Sequence, residues 1–152
     1  MRIQLTKSVY LLLLLFPLLV CCSSSKTASN EKEKSILQRQ LVAQISKLET
    51  SGDALTILSV DVKGNNLIVR ISYSGGCGTH DFECHGNKAI SKSLPPQRTV
   101  RLIHKANGDQ CKKLIEEELI IDIKGLAYQA VQGSEIVLQV EGWKESIHYI
   151  YQ

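Results

Sequence analysis

The sequence predicts a mainly β protein: an antiparallel β-sandwich of about seven strands, with immunoglobulin-like topology as one form it can take, preceded by one amphipathic helix. Three observations predict it. From Leu55 onward apolar and polar residues alternate with a period of two, which gives each strand one face for a core. The alternating runs are short and are separated by Gly, Asn and Pro, the spacing of a sandwich. No strand–helix–strand alternation is present to support a parallel sheet.

The N-terminus reads as a targeting segment. Arg2 and Lys7 precede an apolar run from Val9 to Val20, too short for a bilayer core that needs about 20 apolar residues. The run ends in Leu19-Val20-Cys21-Cys22, which resembles the lipobox of bacterial lipoproteins. That resemblance implies a signal peptide over 1–21, removal of Cys21 with it, and lipidation of Cys22. It also implies a membrane partner through the lipid anchor and an extracytoplasmic compartment, where disulfides persist. Ser23 after the anchor lacks the aspartate that retains many inner-membrane lipoproteins, so the expected location is the outer membrane, facing the periplasm. The 18 Lys and Arg stand against 15 Asp and Glu, and without Arg2 and Lys7 the balance is nearly even. No field strong enough for nucleic acid is expected.

A polar tether follows over 22–29, and a helix is predicted over 30–52. Asn30 and Glu33 have the spacing of an N-cap and its capping partner. Leu37, Leu41, Ile45 and Leu48 line one helical face, and Gly52 is placed as the stop. The sandwich domain is expected over 53–152. Its first runs are Leu58–Val62 and, after the turn "KGNN", Leu67–Tyr73. Further runs are His80–Cys84, Val100–His104, Leu119–Ile123, Ile136–Val140 and Ile147–Tyr151.

The chemistry is concentrated in "GGCGTHDFECHG", Gly75 to Gly86. Strand parity turns His80, Phe82 and Cys84 to one face, the core, and sends His85 the other way. His104 shares parity with Val100 and Leu102 and is expected inward as well. The turn Asn107-Gly108 then delivers Cys111, so two histidines and three cysteines are expected at one end of the sandwich. Cys77, Cys84 and Cys111 allow three single disulfides, and sequence alone does not choose among them. In the chain-entropy model, Cys77–Cys111 contributes roughly 4 kcal/mol and Cys77–Cys84 roughly 2.5 kcal/mol.

The body also resembles a set of small bacterial lipoproteins and secreted proteins. The resemblance rests on Gly76-Cys77, His80 with Phe82, Pro95-Pro96-Gln97, His104, and Gly108-Asp109 with Cys111. It covers about a quarter of the chain, implies no activity, and favours pairing Cys77 with Cys111. Cys84 stands outside the pattern and is expected to be a buried, small apolar thiol.

Two chemical alternatives remain. His80, Cys84 and His104 are ligand types suited to zinc or copper, although their spacing matches no zinc finger or ribbon. Otherwise the histidines satisfy buried backbone groups. Catalysis finds no support: Gly-x-Ser-x-Gly, His-Glu-x-x-His and a phosphate-cradling glycine loop are all missing. Glu116-Glu117-Glu118 reads as a solvated strand entrance, and Tyr149 and Tyr151 share parity with Ile147 and so with the core. The expectation is a binding or structural module of the cell envelope, not an enzyme and without a cofactor, with an envelope protein as candidate partner. The alternative is a periplasmic metal-binding lipoprotein.

Overall fold

A computed structural model describes residues 36–48 and 51–152. Nine strands form two sheets: β1 (Leu37–Val42), β2 (Gln44–Ser46), β3 (Thr56–Lys63), β4 (Asn66–Gly75), β5 (Asp81–Asn87), β6 (Gln97–Lys105), β7 (Lys113–Asp122), β8 (Glu135–Val140) and β9 (Ile147–Ile150). The first sheet has the order β1-β7-β4-β3 and the second β2-β5-β6-β8-β9. The seven alternating runs of the sequence correspond to β3 through β9. Their inward positions supply the core: Leu67, Val69 and Ile71 of β4, Leu119 and Ile121 of β7, Phe82 and Cys84 of β5, and Ile136, Leu138 and Tyr149 of β8 and β9.

The sheets are mixed, not purely antiparallel. β1 runs parallel to β7, β2 to β5 and β6 to β8, while the other four pairings are antiparallel. The β6–β8 pair arises because β7 crosses to the first sheet between them, which leaves β8 to return beside β6 in the same direction. An all-antiparallel immunoglobulin-like arrangement does not contain that pair.

The predicted helix over 30–52 is corrected over 37–46, where the chain forms β1 and β2. Residues 30–35 and 49–50 lie outside the described residues. The reason is arithmetical and tertiary. Leu37, Leu41 and Ile45 are four apart, an even spacing that lines one face of a strand as well as of a helix. Each sheet has an open edge, at β7 and at β5, and the segment satisfies both with backbone hydrogen bonds. Ala43 sits buried at the switch between sheets, its N–H donating to the Asp122 carbonyl at 2.9 Å. The two sheets therefore include residues 37–46, ahead of the expected boundary at 53.

One further difference falls in β3. A register irregularity between Ile57 and Ser59 adds a residue to that strand. Ile57, Val60 and Val62 pack against the core, while Leu58, expected on the same face as Val60, is turned out and exposed.

Candidate functional site

The end of the sandwich near β4, β5 and β7 gathers most of the polar chemistry. β4 and β7 pair down to Gly75 opposite Lys113, and Cys77 and Cys111 continue that register two positions further as a disulfide, with Cα atoms 5.9 Å apart. The pairing expected from the resemblance is therefore present. Gly76 has φ 108°, a conformation open to glycine, and lets the chain leave β4 sharply. Gly75 lacks a Cβ where the His80 ring passes; a Cβ there would lie 2.5 Å from the ring Cε1.

Asp109 organises the two loops. Its Oδ1 accepts from the Cys111 N–H at 2.8 Å, and its Oδ2 accepts from the N–H groups of Cys77 and Gly78 at 2.9 Å. His80 Nε2 lies 3.1 Å from the same Oδ2. The Cys111 N–H, then the Cys77 N–H and the His80 ring, hold the Asp109 carboxyl well below the usual carboxylate range.

The chain of contacts continues inward. His80 Nδ1 is 2.8 Å from His104 Nε2, and His104 Nδ1 is 3.1 Å from the Ala54 carbonyl oxygen. A carbonyl and a carboxylate only accept, so His104 Nδ1 donates to Ala54 and His80 Nε2 donates to Asp109. Between His80 Nδ1 and His104 Nε2 either ring nitrogen can be the donor. Both rings are buried, and they stack nearly parallel with centroids 5.1 Å apart. His104 also stacks on Phe82.

A second buried network adjoins this one. Glu117 is fully buried, accepting from Arg39 Nε at 2.7 Å and from the Tyr73 hydroxyl at 2.8 Å. Arg39 also donates to the His80 carbonyl at 2.7 Å and lies over the Phe82 ring. Burial, with the Glu117 carboxylate as acceptor, raises the Tyr73 hydroxyl to about 12. The reading of Glu116-Glu117-Glu118 as a solvated run is thus corrected at its centre. Glu116 and Glu118 face out, to Arg70 and Gln38, while Glu117 shares the inward parity of Leu119 and Ile121. That parity was the available signal. Arg39 had none, because its strand was read as a helix.

The expected inward orientations of His80, Cys84 and His104 are observed, as is the opposite orientation of His85. They do not assemble as a ligand set. The ring nitrogens of His80 and His104 are engaged with each other, Asp109 and Ala54, and Cys84 lies one inward position beyond Phe82 on β5. Burial pushes the Cys84 thiol up to about 12, a poor nucleophile and a poor ligand as it stands. Among the described residues the ligand atoms that do come together, within 4.8 Å, belong to Cys77, Asp109 and Cys111, and two of these are spent in the disulfide. On the outer face His85 links Ser46 Oγ at 2.8 Å and Glu83 Oε2 at 2.9 Å, and Lys105 pairs with Glu83. That chain fastens β2 to the sheet. Cys22 lies outside the described residues.

No protein-family model matches the sequence, and no curated protein matches it. Among solved structures the chain is similar to a NigD-like immunity protein from Bacteroides caccae, with a TM-score of 0.55 and 13% identity over 76% of this chain and 64% of that one. It also aligns with a protein of unknown function from Bacteroides vulgatus, with a TM-score of 0.47 and 12% identity over 77% of this chain and 58% of that one. The chain thus spans less than two thirds of either structure. At 13% identity the first likeness carries the fold, a β-rich sandwich, and nothing of activity.

Proposed function

We propose that the chain is a lipid-anchored cell-envelope protein, held through Cys22 at the outer membrane and facing the periplasm, whose β-sandwich is a binding or structural module. The observation that carries this reading is the Cys77–Cys111 disulfide, a bond that persists in oxidising compartments, in a chain whose leader ends in a lipobox-like Leu19-Val20-Cys21-Cys22. Among the described residues the one free thiol, Cys84, is sealed in the core.

A metal-binding lipoprotein is the second reading. The clustering of Cys77, Asp109 and Cys111 favours it, since reduction would release two thiols beside a carboxylate. It moves the ligand set away from His80, Cys84 and His104. Intact mass spectrometry of the full chain, expressed in a bacterium and recovered from its envelope, separates the readings. The expected product begins at Cys22, carries acyl chains, is two hydrogens lighter than its reduced form, and exposes one alkylatable thiol only after denaturation. An unmodified Cys22 removes the anchor. Two free thiols with stoichiometric zinc or copper favour the second reading.

A further inference from the structure

The loop joining β5 to β6 presents the most exposed large apolar side chain among the described residues, Leu94, at 98% exposure. With Ile90, Pro96 and Tyr128 it lines an open groove of about 450 Å³. The groove is built rather than incidental. The buried Arg98 donates to the Leu126 carbonyl at 3.1 Å and the Asn87 carbonyl at 2.5 Å, tying both walls together. Ser91 N–H donates to the Gln97 carbonyl, and Ser93 Oγ to the Pro95 carbonyl, which fixes the loop that carries Leu94.

The two wall segments carry charge of one sign, and Glu135, which follows the second of them, faces His148 at 3.4 Å. Lys92 lines the groove, Lys88 opens the loop, and both are exposed. Neither makes an ion pair among the described residues. No Asp or Glu occurs from 84 to 108, nor from 123 to 134, the two segments that form the walls.

We propose that this loop, with Tyr128, docks on a bilayer surface rich in anionic lipid, inserting Leu94 below the headgroups while Lys88 and Lys92 meet lipid phosphates. An apolar tip, an amphipathic tyrosine and long basic side chains that keep their ammonium groups in water form an interfacial set. The charge matches anionic lipid, and a lipid chain with a basic patch is a two-signal attachment. The proposal rests on the envelope reading for its setting only, because docking by the loop is measurable without the anchor.

The sandwich closes its own core within 36–152, so the lipid-free chain Ser23–Gln152 with its disulfide intact is the test protein. It is sedimented with vesicles of phosphatidylethanolamine and phosphatidylglycerol, and separately with phosphatidylcholine vesicles. Binding is expected on the anionic vesicles, with loss on added salt. Leu94→Glu is expected to lower partitioning by about tenfold, and Lys88→Gln or Lys92→Gln by about fivefold each. Leu114→Glu, on an exposed side chain of the other sheet, should bind as the parent does. Leu94 has no packing role, and unchanged thermal melts confirm that the variants fold. Absence of sedimentation, or a Leu94→Glu variant that sediments like the parent, overturns the proposal. So does Leu94-dependent self-association without vesicles, which assigns the groove to a second copy. Failure of Cys22 acylation is read separately, by mass, and leaves the vesicle result standing.

Discussion

Asp109 concentrates more of the molecule's polar order than any histidine beside it. Three backbone N–H groups converge on it, so its carboxylate form belongs to the folded state. Its folded value lies below the unfolded value of about 4, so the stability it contributes is present above that pH. It is lost as pH falls through the depressed folded value. Urea midpoints measured from pH 6 downward should therefore fall steeply in the parent. They should fall less steeply in Asp109→Asn, which starts lower at pH 6. Equal slopes would remove Asp109 from the acid response. Much of this neighbourhood was legible in the sequence, because strand parity alone places His80, Phe82, Cys84 and His104 inside. Glu117 was legible in the same way but was outweighed by its charged neighbours. The hydrogen bond between His80 and His104 was not legible, since it depends on the register that sets Phe82 opposite His104.

At the scale of the element, β1 shows why a pattern of apolar residues can mislead. Its spacing of four serves two structures, and the choice between them is made by sheet edges that sequence does not display. A feature that separates them is Arg39, whose charge ends inside because Glu117, the register partner of Leu37, lies diagonally across from it. Arg39→Met leaves Glu117 buried without its cation. A fully buried pair loses about 3–5 kcal/mol when one partner is removed. Arg39 is a third exposed, which discounts this to about 2–4 kcal/mol. Adding Glu117→Gln should recover part of the loss, and chemical denaturation of the two variants measures the coupling. The β3 irregularity is the other local surprise: one inserted residue sends Leu58 outward while Ile57 and Val60 both stay in.

Across the whole molecule, the two-layer β architecture and seven of the nine strands follow from periodicity, whereas the parallel pairings do not, because they join segments far apart in the chain. The disulfide addresses the same difficulty. It fixes two residues separated by 34 positions and encloses β5 and β6, strands of the sheet it does not belong to. Its removal as Cys77→Ser/Cys111→Ser should cost about 4 kcal/mol, read from urea denaturation against the oxidised parent. An unchanged midpoint would mean that strand pairing alone holds that end. The crossing segment 37–46 has a mechanical meaning as well. Six residues are zipped to one sheet and, after Ala43, three to the other, so a pull entering at Leu37 is shared by both layers. Under tension applied at Leu37 such a segment bears load like a seam stitched through two cloths, and the first stitches can open while the rest hold.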